Sequence, residues 1–335
     1  MRYSRREFNR LSALAGLGYL GGINRDAEKP SLIPVAVVKT ANRAEGIPQA
    51  AKLLGDMDFA GEHIYLKCSY NSAHPFPATT HHESLAAAVK FLKSEKSRKI
   101  TLLERSGMGD TGAVMNALGA VDLIQELGVE FSPLESLAQD KWRQVVLPGS
   151  NWKNGIEVPD LLSPEACVVQ VCNLKTHRFG GEFSASLKNS IGLIPKYSPS
   201  NSNLNYMAEL HASPYQCQMI AEVNQVYSPR LVIMDAVQVF VGGGPETGNL
   251  ASPGIIAASR DRVAIDAVGL AILRLYGAGF PLNKDGVFDQ IQIKRAVELE
   301  LGAVSAEQIQ LIPHDAESWD MAERIKGLLD STPIF

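Results

Sequence analysis

The strongest constraint on this chain is an alternation of short apolar runs with stretches of helical period. The runs at residues 33–38, 64–68, 100–104, 145–147, 167–174, 231–235 and 255–258 read as strands buried on both faces. Between several of them lie amphipathic segments, at 47–54, 83–93, 113–127, 185–194 and 263–276. Two further helices are expected at 284–301 and 321–329. Strands that recur with helices between them run mainly parallel, because a parallel neighbour requires a crossover connection. The expected class is α/β, a mainly parallel sheet with helices on both faces, and 335 residues suit one large unit or two lobes.

Composition narrows the function. With 45% hydrophobic and 20% charged residues the chain can bury a sizeable core, which excludes a disordered protein. A balance of 32 basic against 36 acidic residues gives a net charge of −4, which argues against a nucleic-acid partner held through its phosphates. Four cysteines are too few for a disulfide scaffold. Cys167 and Cys172 also lack the spacing of a zinc knuckle or ferredoxin motif, so no iron–sulfur cluster is expected.

The first residues stand apart. Ser4-Arg5-Arg6-Glu7-Phe8 precedes a charge-free stretch, 11–23, whose glycines at 16, 18, 21 and 22 make it a poor helix of the fold. A basic start, a short apolar stretch and a polar exit make a secretory signal, and the paired arginines resemble the twin-arginine export signal. The twin-arginine translocation machinery is the implied partner. The protein would then be periplasmic or otherwise exported, and membrane-anchored if the segment stays uncut. The plan is a signal segment at 1–25, an α/β domain at 30–280 and a C-terminal helical extension at 281–335 packed on it. Removing residues 1–25 takes away five arginines and one glutamate, which leaves 27 basic and 35 acidic residues, or −8.

In open α/β sheets ligands gather beyond the carboxyl ends of the strands. Those ends are polar here. Lys67 follows one run, Glu104-Arg105-Ser106-Gly107 another, and Lys175-Thr176-His177 a third. Lys188 and Asn189 sit near the edge of the next helix's apolar stripe, able to turn toward the strand ends. Lysines, a histidine and an amide so close can hold an anion and move a proton, because lysine stabilises developing negative charge and histidine titrates near neutrality. His211 precedes a helix, and Asp235 ends a strand, where an acid can orient a histidine, bind a metal or cap a turn. Gly244 belongs to a glycine-rich loop whose backbone can approach a ligand closely, and Asp266 follows an apolar helical turn where it would be buried and paired. Gly107, Gly109 and Gly112 match a dinucleotide fingerprint, but Asp110 would set a carboxylate where a pyrophosphate should lie.

Taken together, Leu174-Lys175-Thr176-His177, Leu187-Lys188-Asn189-Ser190-Ile191-Gly192, His211, Ile233-Met234-Asp235-Ala236, Gly244-Pro245-Glu246-Thr247-Gly248 and the segment from Ala257 to Val268 resemble the domain-of-unknown-function 362 family. Thr79-Thr80 and the segment from Glu104 to Thr111, with Ser106 and Gly107, fit its pattern. The family's K-P-N segment is departed from, since Lys67 is followed by Cys68-Ser69-Tyr70. The resemblance implies a binding site made of Lys67, Thr79, Thr80, Glu104, Ser106, Gly107, Asn189, Gly244 and Asp266 around a small anionic molecule. Among the catalytic candidates, Lys175 and Lys188 would hold and polarise the anion, His177 or His211 would act as acid/base, and Asp235 would orient a histidine. A divalent metal held by His177, His211 and Asp235 is a variant of this reading. A non-catalytic periplasmic binding or accessory protein and a nucleotide-dependent oxidoreductase are the alternatives.

Overall fold

The ten-residue run Cys167-Val-Val-Gln-Val-Cys-Asn-Leu-Lys-Thr176 is buried along its whole length, and the sheet is built outward from it. In the computed structural model, which describes residues 31–179 and 182–330, this run is β7 (Cys167–Thr176). On one side of it lie β2 (His63–Lys67), β3 (Lys99–Glu104) and β4 (Glu130–Pro133), all parallel to their neighbours. On the other side lies the long β9 (Pro229–Gly243), parallel to β7, then β11 (Ile255–Ser259) and β1 (Ile33–Lys39), joined by antiparallel pairings. The order is β12-β1-β11-β9-β7-β2-β3-β4, where β12 (Ile309–Pro313) adds a parallel edge to β1. The short β8 (Phe183–Ser184) and β10 (Gly248–Ala251) flank β7 and β9. A separate hairpin pairs β5 (Trp142–Val145) with β6 (Ile156–Pro159).

Side chains alternate between the faces of a strand, and the core divides accordingly. Val168, Cys172 and Leu174 join one apolar cluster, while Cys167, Val169 and Val171 join another across the sheet. The second is closed by α1 (Arg43–Lys52), α2 (His82–Ser94), and the pair α3 (Thr111–Ala117) and α4 (Ala120–Glu126). The first is closed by α5 (Ser186–Asn189), α6 (Tyr206–Ala212), α7 (Gln216–Glu222), α8 (Arg262–Leu275), α9 (Ile291–Glu298) and α10 (Ala316–Leu329). The described residues from Leu32 onward form one compact unit. None of the described helices is long and apolar enough to cross a membrane. The export-signal segment lies outside the described residues.

Several elements differ from expectation for local reasons. The helix expected over 113–127 is two, broken at Gly119, whose backbone is left-handed at φ 67°. The helix expected over 185–194 is one α-helical turn, α5, continued by a 3-10 turn at Ser190–Leu193. The 281–335 segment is more than a helical extension. Its alternating Ile309-Gln310-Leu311-Ile312 supplies an edge strand, and Met321, Ile325 and Leu329 of α10 enter the core. A chain stopped at residue 301 would bare the edge of β1 together with that apolar face. We expect it to be insoluble on expression; a soluble monomer melting with the full chain by light scattering and circular dichroism would contradict this.

Candidate functional site

The strands β2, β3 and β7 end at one edge of the sheet, with β7 running six residues past its last pairing with β2 at Gln170. Above this edge lies a cavity of about 360 Å³, near the small end of the roughly 300–1,000 Å³ of ligand sites. Lys67, Glu104, Gly107, Lys175, His177, Lys188, Asn189 and His211 line it. Thr79, Thr80, Ser106, Asp235, Gly244 and Asp266 do not.

At the cavity floor Lys67 Nζ donates to Glu104 Oε1 at 2.7 Å, to Asn189 Oδ1 at 3.1 Å and to the Cys68 carbonyl. The carboxylate also accepts from the backbone N–H groups of Arg105 at 3.0 Å and Tyr70 at 3.2 Å. Burial pushes the Glu104 carboxyl up, and the Lys67 ammonium opposes that. Gly192 makes room for the pair, since a Cβ there would stand 2.7 Å from Lys67 Cε and 3.1 Å from Glu104 Oε1. Lys67 is therefore committed inside the protein. Arg105, absent from the expected site, is a buried wall residue: its Nε donates to the Ile194 carbonyl at 2.9 Å and its Nη2 to that of Ile191. Burial lowers this guanidinium to about 10.

Lys175 reaches up from β7 and donates to the carbonyls of Pro77, at 3.2 Å, and Ala78. Asn173, two residues back on the same strand face, donates to the same Pro77 carbonyl at 3.0 Å. Burial lowers Lys175 to about 7, helped by the charge of Lys188. Lys188 itself is half-buried and lowered by burial to about 8. Among the described residues its amine has no hydrogen bond or ion pair, although it lines the cavity. Two more buried polar atoms on this wall lack a hydrogen-bonding partner among the described residues, Tyr70 Oη and Asn173 Oδ1. The signal for Asn173 was its spacing of two from Lys175 on one strand.

The histidines occupy the mouth. His211, exposed at the last turn of α6, donates from Nδ1 to the Met207 carbonyl at 2.6 Å. A carbonyl only accepts, so the neutral ring carries its proton on Nδ1 and keeps the Nε2 lone pair available. His177 Nδ1 accepts from the Phe179 N–H at 3.2 Å, which places the neutral ring's proton on Nε2.

The remaining expected residues sit behind the cavity and hold its parts. Asp235 pairs with neither His177 nor His211. It is fully buried and accepts from Arg43 Nε at 2.7 Å, the Ser84 hydroxyl and the Val237 N–H at 3.0 Å. The Arg43 guanidinium lies 4.5 Å over the Phe76 ring, so this network fixes the loop that offers Pro77 and Ala78 to Lys175. Asp266 accepts from the N–H groups of Ser186 at 2.7 Å and Leu187 at 3.1 Å, the start of the helix carrying Lys188, and burial raises it to about 7. Thr80 Oγ1 accepts from Ser69 N at 2.8 Å and Thr79 Oγ1 donates to the His74 carbonyl at 2.7 Å, bracing the same loop. The Ser106 hydroxyl donates to the Tyr70 carbonyl. Gly244 is a contact point, because a Cβ there would fall 2.0 Å from the Thr176 carbonyl; its neighbour Pro245 reaches the cavity. The metal variant finds no support in the geometry, since Asp235 is engaged elsewhere and no group of three or more His, Cys, Asp or Glu among the described residues is arranged to hold an ion. In the fingerprint loop the start of α3 is capped by Asp110, accepting from Ala113 N at 2.8 Å.

The sequence pattern of the family described as a domain of unknown function (DUF362) matches residues 64–271, and the chain belongs to that family. A search of curated proteins finds no match. Among solved structures the chain is similar, at 15% identity and a TM-score of 0.42, to the lactate racemase apoprotein from Thermoanaerobacterium thermosaccharolyticum. That similarity covers 70% of this chain and 55% of the other, so the chain spans little more than half the length of that protein.

The crowding at Gly192 yields a stability test. Gly192→Ala is expected to cost roughly 1–3 kcal/mol through the displaced ion pair. Gly327→Ala, at a helical site with open space, should be neutral or slightly stabilising. Urea denaturation measures both; equal midpoints for the two variants would refute the role given to Gly192.

Proposed function

We propose that the cavity binds a small organic anion and that its lysines and histidines carry out acid/base chemistry on it. The observation that carries this reading is the charge of the lining: Lys67, Arg105, Lys175 and Lys188 against the single carboxylate of Glu104. Lys67 is neutralised by that carboxylate and Arg105 is bound to backbone carbonyls; Lys175 donates to the Pro77 and Ala78 carbonyls but keeps one amine hydrogen, and Lys188 keeps all of its own, for a ligand. An anion between these two ammonium groups removes their mutual repulsion and supplies the counter-charge that burial denies them. His211 Nε2 at the mouth is the acceptor best placed to take a proton from an entering molecule. Following the reading of its first residues, we place the protein outside the cytoplasm, exported folded by the twin-arginine machinery.

Two outcomes are expected. In a thermal-shift screen of small carboxylates, phosphates and sugar acids, at least one anion should raise the melting temperature. NAD, NADP and FAD should not. Lys188→Ala should abolish the shift while leaving the unliganded melting temperature nearly unchanged, because its amine makes no hydrogen bond or ion pair among the described residues; a large loss of stability would mark Lys188 as structural. Turnover of the hit separates an enzyme from a binding protein.

The second concerns pH. Lys175 and Lys188 are lowered to about 7 and about 8, so each is half-protonated near its own value, both are largely protonated at about pH 6 and both are largely neutral at about pH 9. An anion favours the protonated forms. Affinity should therefore fall from pH 6.5 to 9, with net proton uptake on binding between these limits. Calorimetry in buffers of different ionisation enthalpy measures both; proton release on binding would contradict the assignment.

A further inference from the structure

The cavity's lysines are not equivalent. Lys67 has its amine hydrogens directed to Glu104, Asn189 and the Cys68 carbonyl. Lys175 is only 3% exposed, and its amine donates to two fixed carbonyls. The amine of Lys188 has no such bond, is half-buried rather than enclosed, and sits on a helical turn fixed by Asp266 and by Asn189's contact with Lys67. Among the described residues this amine donates no hydrogen bond, it stands beside the Lys175 cation, and burial outweighs the opposing influence of Cys217, which together set it up to act as a nucleophile toward a carbonyl.

We propose that Lys188 forms an imine with the carbonyl carbon of a bound 2-oxo acid whose carboxylate is held by Lys175. This rests on the anion-binding reading and adds to it the class of substrate and the bond formed. In the first step the Lys188 lone pair attacks the carbonyl carbon. The C–N bond forms, the C=O π electrons move to oxygen, and proton transfer gives a neutral carbinolamine. In the second step that hydroxyl leaves as water, carrying one proton from an acid, while the nitrogen loses its remaining extra proton. The sum is amine plus ketone giving imine plus water, with no change of oxidation state. His211 Nε2, at the mouth, accepts and returns the proton. The carboxylate bound at Lys175 favours the ammonium form of that lysine, while Lys188, lowered by burial to about 8, is about half neutral amine at pH 8, where an ordinary lysine, near pKa 10.4, supplies about 0.4%.

The experiment uses the full chain, pyruvate or glyoxylate as the 2-oxo acid, and borohydride to reduce any imine to a stable secondary amine. Intact mass and peptide mapping then read the adduct. The expected result at pH 8 is one adduct per chain, at Lys188, formed at least tenfold faster than at any other lysine, and absent in Lys188→Arg, which keeps the charge but is not a nucleophile. Mapping on the unaltered protein carries the test even if that variant fails to fold. A melting-temperature rise with pyruvate but no adduct, or adducts spread evenly over surface lysines, overturns the imine and leaves the anion-binding reading standing. No shift with any carboxylate and no adduct overturns both.

Discussion

The buried pair of Lys67 and Glu104 is the interaction on which the arrangement of the site depends. A lone charge at either position would be costly, and the pair is tolerated because each remaining valence is met: by Asn189 and the Cys68 carbonyl on one side, and by two backbone N–H groups on the other. Those partners come from the ends of β2 and β3 and from the turn carrying Lys188. One ion pair thus ties the sheet edge to α5, and Gly192 is small because the pair fills the space its side chain would need. Removing either partner would strand the other, at a cost of about 3–5 kcal/mol.

A second layer of charge works at longer reach. Asp235 acts on Lys175 through Arg43, Phe76 and the carbonyls of Pro77 and Ala78, while Asp266 acts on Lys188 by holding the first N–H groups of its helical turn. Each acid lies behind a lysine and touches no space a ligand could enter. This division explains how two lysines can be brought together at one cavity. Their own attraction to nearby carboxylates is weak, so backbone groups fixed from behind must place them.

Much of this was readable in the chain. The strands at β1, β2, β3, β7, β9 and β11 followed from apolar runs too long and too uniform to be solvated on one face, and a site at their carboxyl ends followed from parallel topology. Lys175, Lys188, His177 and His211 were singled out as candidates by residue type near those ends, and all four line the cavity. Asp266 was expected to be buried and paired, and it is, but neither its partners nor the role of Asp235 was legible, because an acid at a strand end can orient a histidine, bind a metal or cap a backbone, and only the partner decides. Their partners, Arg43 and the Ser186 and Leu187 N–H groups, lie 192 and about 80 residues away along the chain. Short edge strands such as β4, with one exposed and three half-buried residues, carry too little apolar pattern to stand out. Tyr70 and Asn173 were hidden for another reason: an unsatisfied polar atom is a property of its surroundings.

The charge of the whole molecule bears on what the cavity admits. With a net charge of −4 the protein's average field repels an anion, and the mature body expected after export would be more acidic still. Entry of the anion proposed above would therefore be driven by the local field of the lining, which falls off within about 8–10 Å at physiological salt. On that proposal such a field would select for small ligands whose charge can come close to Lys175 and Lys188, and would discriminate against extended polyanions that feel the acidic surface along their length. Because both amines are lowered toward neutrality, part of the attractive field exists only after a proton is taken up. For the anion proposed above, ligand charge and protonation of Lys175 would then be one coupled event, with Lys188 left as the group that titrates nearest pH 8.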